Sequence, residues 1–147
     1  MNKEIKQSIA VRADCNKIFN ELLAWGQSRW WPENSLMRFD NLSGPIGEKT
    51  LYRQKIKFPF APSWHTKNES VDKSKLCIKR VFLDGLFEGY EEIKISKDKL
   101  TPEVIYSFNY RVKGVFNKLM WKVLFKKLHV RNINMILQAL KDYLEKR

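Results

Sequence analysis

The feature that most constrains this chain is a change of period at Gly114. Before it, apolar residues recur largely at every second position. After it they recur every third or fourth, and no Gly or Pro breaks that pattern through Leu144. A period of two belongs to a strand with one buried face, and a period near 3.6 to an amphipathic helix. Strands grouped together ahead of a long helix predict an α+β domain on an antiparallel sheet. The length of 147 residues suits one core, so a single domain spanning 1–147 is expected.

The strand-forming part reads as follows. Glu4 to Arg12 alternates, with Ile5, Ile9 and Val11 on one face. Asp14 stands where an N-cap belongs, and Ile18, Phe19, Leu22 and Leu23 recur at helical spacing before Gly26. Ser28 to Pro32, with Trp30 and Trp31, is expected to form a second short helical turn. Strands follow over Met37–Leu42, Lys49–Phe58, Trp64–Val71, Lys75–Leu83, Leu86–Ser96 and Val104–Val112. Pro59 ends the second of these, the polar Trp64–Val71 run suits an edge, and Asp84-Gly85 marks a hairpin. In the long helix, Ile133, Ile136, Leu137, Leu140 and Leu144 form one stripe. The first half is apolar on two sides, with Val115, Leu119, Val123 and Val130 on one, and Trp121, Phe125 and Leu128 on the other. Such a helix needs two partners: the sheet, and a loop, a second subunit or a lipid surface.

Composition narrows the classes. The N-terminus carries Lys3, Glu4 and Lys6 and lacks an apolar h-region, and no run of roughly 18 apolar residues occurs. Cys15 and Cys77 lie far apart without CxxC spacing, so a reduced cytoplasmic chain is expected. The net charge of +12 draws the chain to anionic surfaces. No basic run reaches five residues, however, and no nucleic-acid reading motif occurs, so specific nucleic-acid binding is not expected. Nor does any nucleotide fingerprint occur. The two histidines, His65 and His129, have no neighbouring Cys or second His, so neither a metal site nor a cofactor is expected. His65 lies on a polar strand. His129 sits among Lys126, Lys127 and Arg131, which lower its pKa, and both histidines read as structural or solvent-facing.

Three segments carry a resemblance: Ser8-Ile9-Ala10-Val11-Arg12-Ala13-Asp14 before the first helix, Gly44-Pro45-Ile46-Gly47 before a long strand, and Phe87-Glu88-Gly89-Tyr90-Glu91-Glu92 opening a later one. With Leu128-His129-Val130-Arg131-Asn132 leading into Leu140-Lys141-Asp142-Tyr143-Leu144-Glu145, the whole order resembles the helix-grip fold of the START-like superfamily, which includes polyketide cyclase-like and lipid-transfer proteins. The resemblance implies a curved antiparallel sheet wrapped around the C-terminal helix, with two short helices after the first strand. It also implies a cavity between sheet and helix, lined by Tyr52, Gln54, Ile56, Phe58, Phe108 and Tyr110 from the strands. The helix would add Phe116, Leu119, Met120 and Val123.

Within that frame, alternation places Glu91 on an apolar face, with Arg80 on a paired strand as its counter-charge. Such a pair either orients a polar ligand group and tunes a carboxyl for proton transfer, or is a cross-strand ion pair at a sheet margin. The expected function is non-enzymatic binding or transport of a hydrophobic small molecule, lipid or polyketide-like, oriented by Gln54, Tyr52, Tyr110 or Arg80–Glu91. The alternative is a cyclase- or dehydratase-type enzyme using Glu91 or a tyrosine in the same cavity. A weak contact with anionic membranes, through Trp121, Phe125 and Leu128 flanked by Lys118 and Lys122, with the loop Phe58-Pro59-Phe60-Ala61-Pro62 as a second apolar contact, and a homodimer are further expectations.

Overall fold

A computed structural model describes residues 2–146. Seven strands form one antiparallel sheet: β1 (Lys3–Ala10), β2 (Met37–Asn41), β3 (Leu51–Ile56), β4 (Ser63–Asp72), β5 (Cys77–Phe82), β6 (Phe87–Ser96) and β7 (Glu103–Val112). Their spatial order is β1-β7-β6-β5-β4-β3-β2. Strands β2 to β7 therefore run as a meander, and β1 crosses over to pair with β7. Helix α1 (Cys15–Leu23) starts where Asp14 Oδ2 accepts from the backbone N–H groups of Asn16 and Lys17 at 3.0 and 3.3 Å. The C-terminal rod comprises α2 (Val115–Met120), a π-helical turn (Trp121–Phe125) and α3 (Lys126–Glu145).

Alternation sets the buried face of the sheet. It carries Ile5, Phe39, Tyr52, Gln54, Trp64, Thr66, Asn68, Ile78, Arg80, Phe87, Glu91, Ile93, Val104, Tyr106, Phe108 and Tyr110. Helix α3 closes this face with Ile133, Ile136, Leu137 and Leu140. It is pinned to β1 by Gln7 Nε2, which donates to Val130 O and Asn134 Oδ1 at 2.9 and 2.7 Å. At the far end Glu145 accepts from the Arg12 backbone N–H, and Lys141 donates to Ala10 O. The segment between α1 and β2 folds Trp25, Trp30 and Trp31 together over one end of the core. Gly26 makes that possible: at φ +84° it takes a left-handed conformation, and a Cβ there would lie 2.4 Å from the Phe39 ring.

Three expectations are corrected. Ser28–Pro32 forms turns, not a second helix. Strand β4 lies inside the sheet between β3 and β5. Its polarity has an inward cause, because Thr66 and Asn68 are buried partners for Gln54 and Arg80. The third concerns the phase of the C-terminal rod. At about 100° per residue, an unbroken α-helix would put Val115, Leu119 and Val123 on the Ile133–Leu140 stripe and leave Trp121 about 120° away. The π turn adds one residue and rotates everything before it by about 100°. Trp121 consequently faces the core, and Leu119 and Val123 face solvent, as Phe116 does.

Candidate functional site

Across the middle of the sheet the register sets Asn68 opposite Arg80 and Arg80 opposite Glu91. The three side chains form one buried polar row. Arg80 Nε donates to Asn68 Oδ1 at 3.3 Å and Nη1 donates to Glu91 Oε2 at 3.2 Å, with the ion pair's side chains 3% and 7% exposed. Both strands are interior, so this is not a marginal ion pair. The guanidinium also lies 5.2 Å from the Phe39 ring centre and 5.1 Å from that of Tyr52. Beside the row, Trp64 Nε1 donates to Gln54 Oε1, and Gln54 Nε2 to Thr66 Oγ1, both at 3.1 Å. Tyr52 Oη accepts from Asn68 Nδ2 at 3.5 Å. Tyr52 and Gln54 are thus spent on structure, held by neighbours on the sheet.

Glu91 looks the other way too. It borders a void of about 10 Å³ together with Trp25, Trp31, Met37, Phe39, Tyr106, His129, Ile133 and Ile136. That is room for about one water molecule. The pocket expected between sheet and helix is therefore closed, filled by indole, phenyl and phenol rings. Two of these lining residues carry a buried polar atom with no hydrogen-bond partner among the described residues, Tyr106 Oη and His129 Nε2. Buried polar atoms without partners are uncommon in native cores, and here two share one small space with a carboxylate.

The electrostatics follow from burial. Loss of solvent pushes the Glu91 carboxyl above its ordinary 4.5, with the Arg80 charge pulling the other way. The Tyr106 phenol is pushed well above 10 by burial and by the nearby Glu91 charge. His129 is held down at about 4 by desolvation, its ring set against Phe108, Trp121 and Tyr106 with centroids at 5.0, 5.6 and 6.1 Å. Its pKa is lowered as the sequence suggested, but by an apolar surround, not by neighbouring lysines. At neutral pH the imidazole is uncharged.

The sequence-derived residues divide accordingly. Arg80 and Glu91 meet as a pair. Phe108 and Tyr110 are buried and stack at 4.5 Å, and Tyr110 Oη accepts from Trp121 Nε1 at 2.9 Å. Ile56 and Met120 are half-buried. Phe58, Phe116, Leu119 and Val123 are exposed and line no interior space. For Phe58 the reason is that β3 ends at Ile56; for Leu119 and Val123 it is the π turn, while Phe116 lies about 100° or more off the buried stripe with or without that turn. Sequence reasoning missed Tyr106 and His129. Tyr106 lies in an alternating run with nothing to separate it from Val104 and Phe108, and His129, among basic sequence neighbours, reads only as structural or solvent-facing. Among the described residues no group of three or more His, Cys, Asp or Glu is placed to hold a metal, and Cys15 and Cys77 are free thiols.

No protein-family model matches the chain, and no curated protein matches it by sequence. Solved structures do match it in shape. Norcoclaurine synthase from Thalictrum flavum, in complex with dopamine and hydroxybenzaldehyde, superposes with a TM-score of 0.71 at 16% identity, covering 100% of this chain and 89% of that one. The Zhui aromatase/cyclase from Streptomyces sp. R1128 gives 0.73 at 10% identity, covering 99% and 98%. Ara h 8.0201 gives 0.63 at 12% identity, with 100% of both chains covered. These similarities, with the seven-stranded antiparallel sheet closed by a long C-terminal helix, show that the chain has a helix-grip α+β fold.

Proposed function

We propose that this chain binds a small, mostly apolar molecule bearing one polar group, at the point where Glu91, Tyr106 and His129 converge. The observation that carries this reading is the pair of unpartnered buried atoms, Tyr106 Oη and His129 Nε2, beside the Glu91 carboxylate. A ligand hydroxyl, carbonyl or amine would satisfy them, and the aromatic walls would supply affinity. The void is too small for such a molecule as it stands, so binding requires the wall to move. Trp31, Met37 and His129 are the half-buried members of that wall; Trp31 lies on the irregular segment between α1 and β2, and Met37 opens β2. That segment is anchored to α3 where Asn132 Oδ1 accepts from the Leu36 N–H at 2.9 Å. A fold shared with a synthase that holds dopamine and hydroxybenzaldehyde is compatible with an aromatic ligand.

An enzymatic reading, of the cyclase or dehydratase type, is favoured by one specific observation. The site holds a buried carboxyl raised above its ordinary range together with a phenol and a neutral imidazole, and titratable groups perturbed by burial and gathered at one point are what proton transfer uses. Native mass spectrometry of protein purified from its host tests the binding reading, with a bound small molecule expected. Absence of any bound mass, together with no shift of the His129 ring resonances across a panel of small aromatic alcohols, aldehydes and amines, would overturn it. Turnover of a bound compound that disappears in Glu91→Gln while binding persists would decide for catalysis.

A further inference from the structure

The apolar surface turned outward by the π turn belongs to a larger feature. Strands β3, β5 and β7 all end, and β4 and β6 begin, at one end of the sheet. The β3–β4 loop carries Phe58 and Phe60, the β5–β6 loop carries Leu83, and α2 begins there with Val115, Phe116 and Leu119. The β5–β6 loop and the start of α2 are tied by a hydrogen bond from the Lys113 N–H to Leu86 O at 2.8 Å. All six side chains are exposed, with Phe60 at 105%, Phe116 at 73% and Leu119 at 57%. Phe60 also has φ +61°, a conformation that bulky residues avoid, so this ring is held in water on unfavourable backbone. A surface helix ordinarily turns its apolar face to the core. Here Val115, Phe116, Leu119 and Val123 lie on the side roughly opposite the buried Trp121.

Charge selects the occupant. Lys113, Lys118, Lys122, Lys126 and Lys127 stand on or beside this helix, and no acid occurs between Glu103 and Asp142. Among the described residues none of these lysines forms an ion pair. Acids near this end are engaged elsewhere, Asp84 with His65 and Glu88 with Arg111. A second copy meeting the same patch across a twofold axis would bring the two sets of lysines together. An anionic bilayer satisfies both the apolar ridge and its basic flanks.

We infer that this end of the molecule, the β3–β4 and β5–β6 loops with the α2–π segment, docks on anionic lipid membranes. The side chains expected to enter the acyl boundary are Phe60, Phe116 and Leu119, with the lysines on the headgroups. This surface keeps the Phe58–Pro62 loop and the Lys118 and Lys122 flanks expected from sequence, but replaces Trp121, which points into the core, by Phe116 and Leu119.

Flotation with mixed phosphatidylglycerol–phosphatidylcholine vesicles, against phosphatidylcholine alone, tests the inference. Binding is expected to the mixed vesicles and to weaken as salt rises. Leu119→Glu and Phe60→Asp should each lower the partition coefficient about tenfold or more. Leu100→Glu, at a residue 103% exposed on the β6–β7 loop at the opposite end, should leave it unchanged. Far-UV circular dichroism checks that these surface variants fold. No binding to mixed vesicles, binding that both rim variants retain, or an equal loss in Leu100→Glu would overturn the inference. So would a dimer in sedimentation velocity that Leu119→Glu dissociates, since the patch would then belong to a second copy.

Discussion

Replacing Arg80 by Met tests whether the buried polar row is a coupled unit. The substitution keeps much of the unbranched stem but removes the charge and both donors. Glu91, with a 7% exposed side chain, loses its counter-charge, and Asn68 Oδ1 loses the donor at 3.3 Å. Breaking one side of a buried ion pair costs about 3–5 kcal/mol, a large part of the roughly 5–15 kcal/mol that holds a domain together. In urea, with a slope of roughly 1–3 kcal/mol per molar, the midpoint should fall by about 2 M, read from the fluorescence of the buried tryptophans. Glu91→Leu alone should cost a similar amount, because it strands the guanidinium. The double variant Arg80→Met/Glu91→Leu should recover about 2–3 kcal/mol relative to the sum of the singles, since two apolar side chains replace the pair.

The cost should also depend on pH. A carboxyl raised above 4.5 binds more protons in the folded than in the unfolded state, so its charge costs stability as pH rises above 4.5 toward the folded value. Arg80→Met removes the charge that opposes the rise, so its penalty should be small near pH 4.5 and grow toward neutrality. Additive single effects, or a penalty flat across that window, would refute a coupled pair.

His129 supplies a window of the opposite sign. Its pKa falls from 6.5 to about 4 on folding, so its contribution is complete above pH 6.5 and is lost as pH falls toward 4. That loss is worth about 3 kcal/mol and should vanish in His129→Phe, read by urea unfolding across this range. Trp121→Ala should cost about 3–5 kcal/mol, since it empties a buried site and strips the donor from Tyr110 Oη, whereas Phe116→Ala should stay within about 0.5 kcal/mol. Gly26→Ala should cost about 2 kcal/mol in the same assay, because its Cβ would meet the Phe39 ring from a φ of +84°. No measurable destabilisation there would mean the Trp25–Trp31 segment yields easily.

Much of this molecule was legible in its residues because alternation and helical spacing are local. The strands, the Asp14 cap, the Arg80–Glu91 pairing and the long terminal helix all follow from side-chain period and from turn residues. The candidate site was legible in half. An acid on an apolar face announces itself, and Glu91 did. A tyrosine in an aromatic run does not, and a histidine among lysines gives no local sign of whether its ring turns inward or to solvent. Strand β4 was misplaced for a related reason. Polar residues on a strand suggest an edge, and the buried Arg80 and Gln54 that they serve lie distant in sequence.

By itself the sequence determined that alternating strands would gather ahead of one long C-terminal helical rod, and that a carboxylate would lie on an apolar face of the sheet. Tertiary structure decided which way the front of that helix faces. Periodicity sets the spacing of an apolar stripe but not the continuity of its phase, and one extra residue in a π turn rotates the phase by about 100°. Trp121 gains Tyr110 as acceptor and Phe87, Phe108 and Tyr110 as ring neighbours by that rotation. Leu119 and Val123 are left facing outward beside Phe116. The contest between one indole and two smaller apolar side chains is settled by the shape of the space under the helix, which exists only once the sheet has formed.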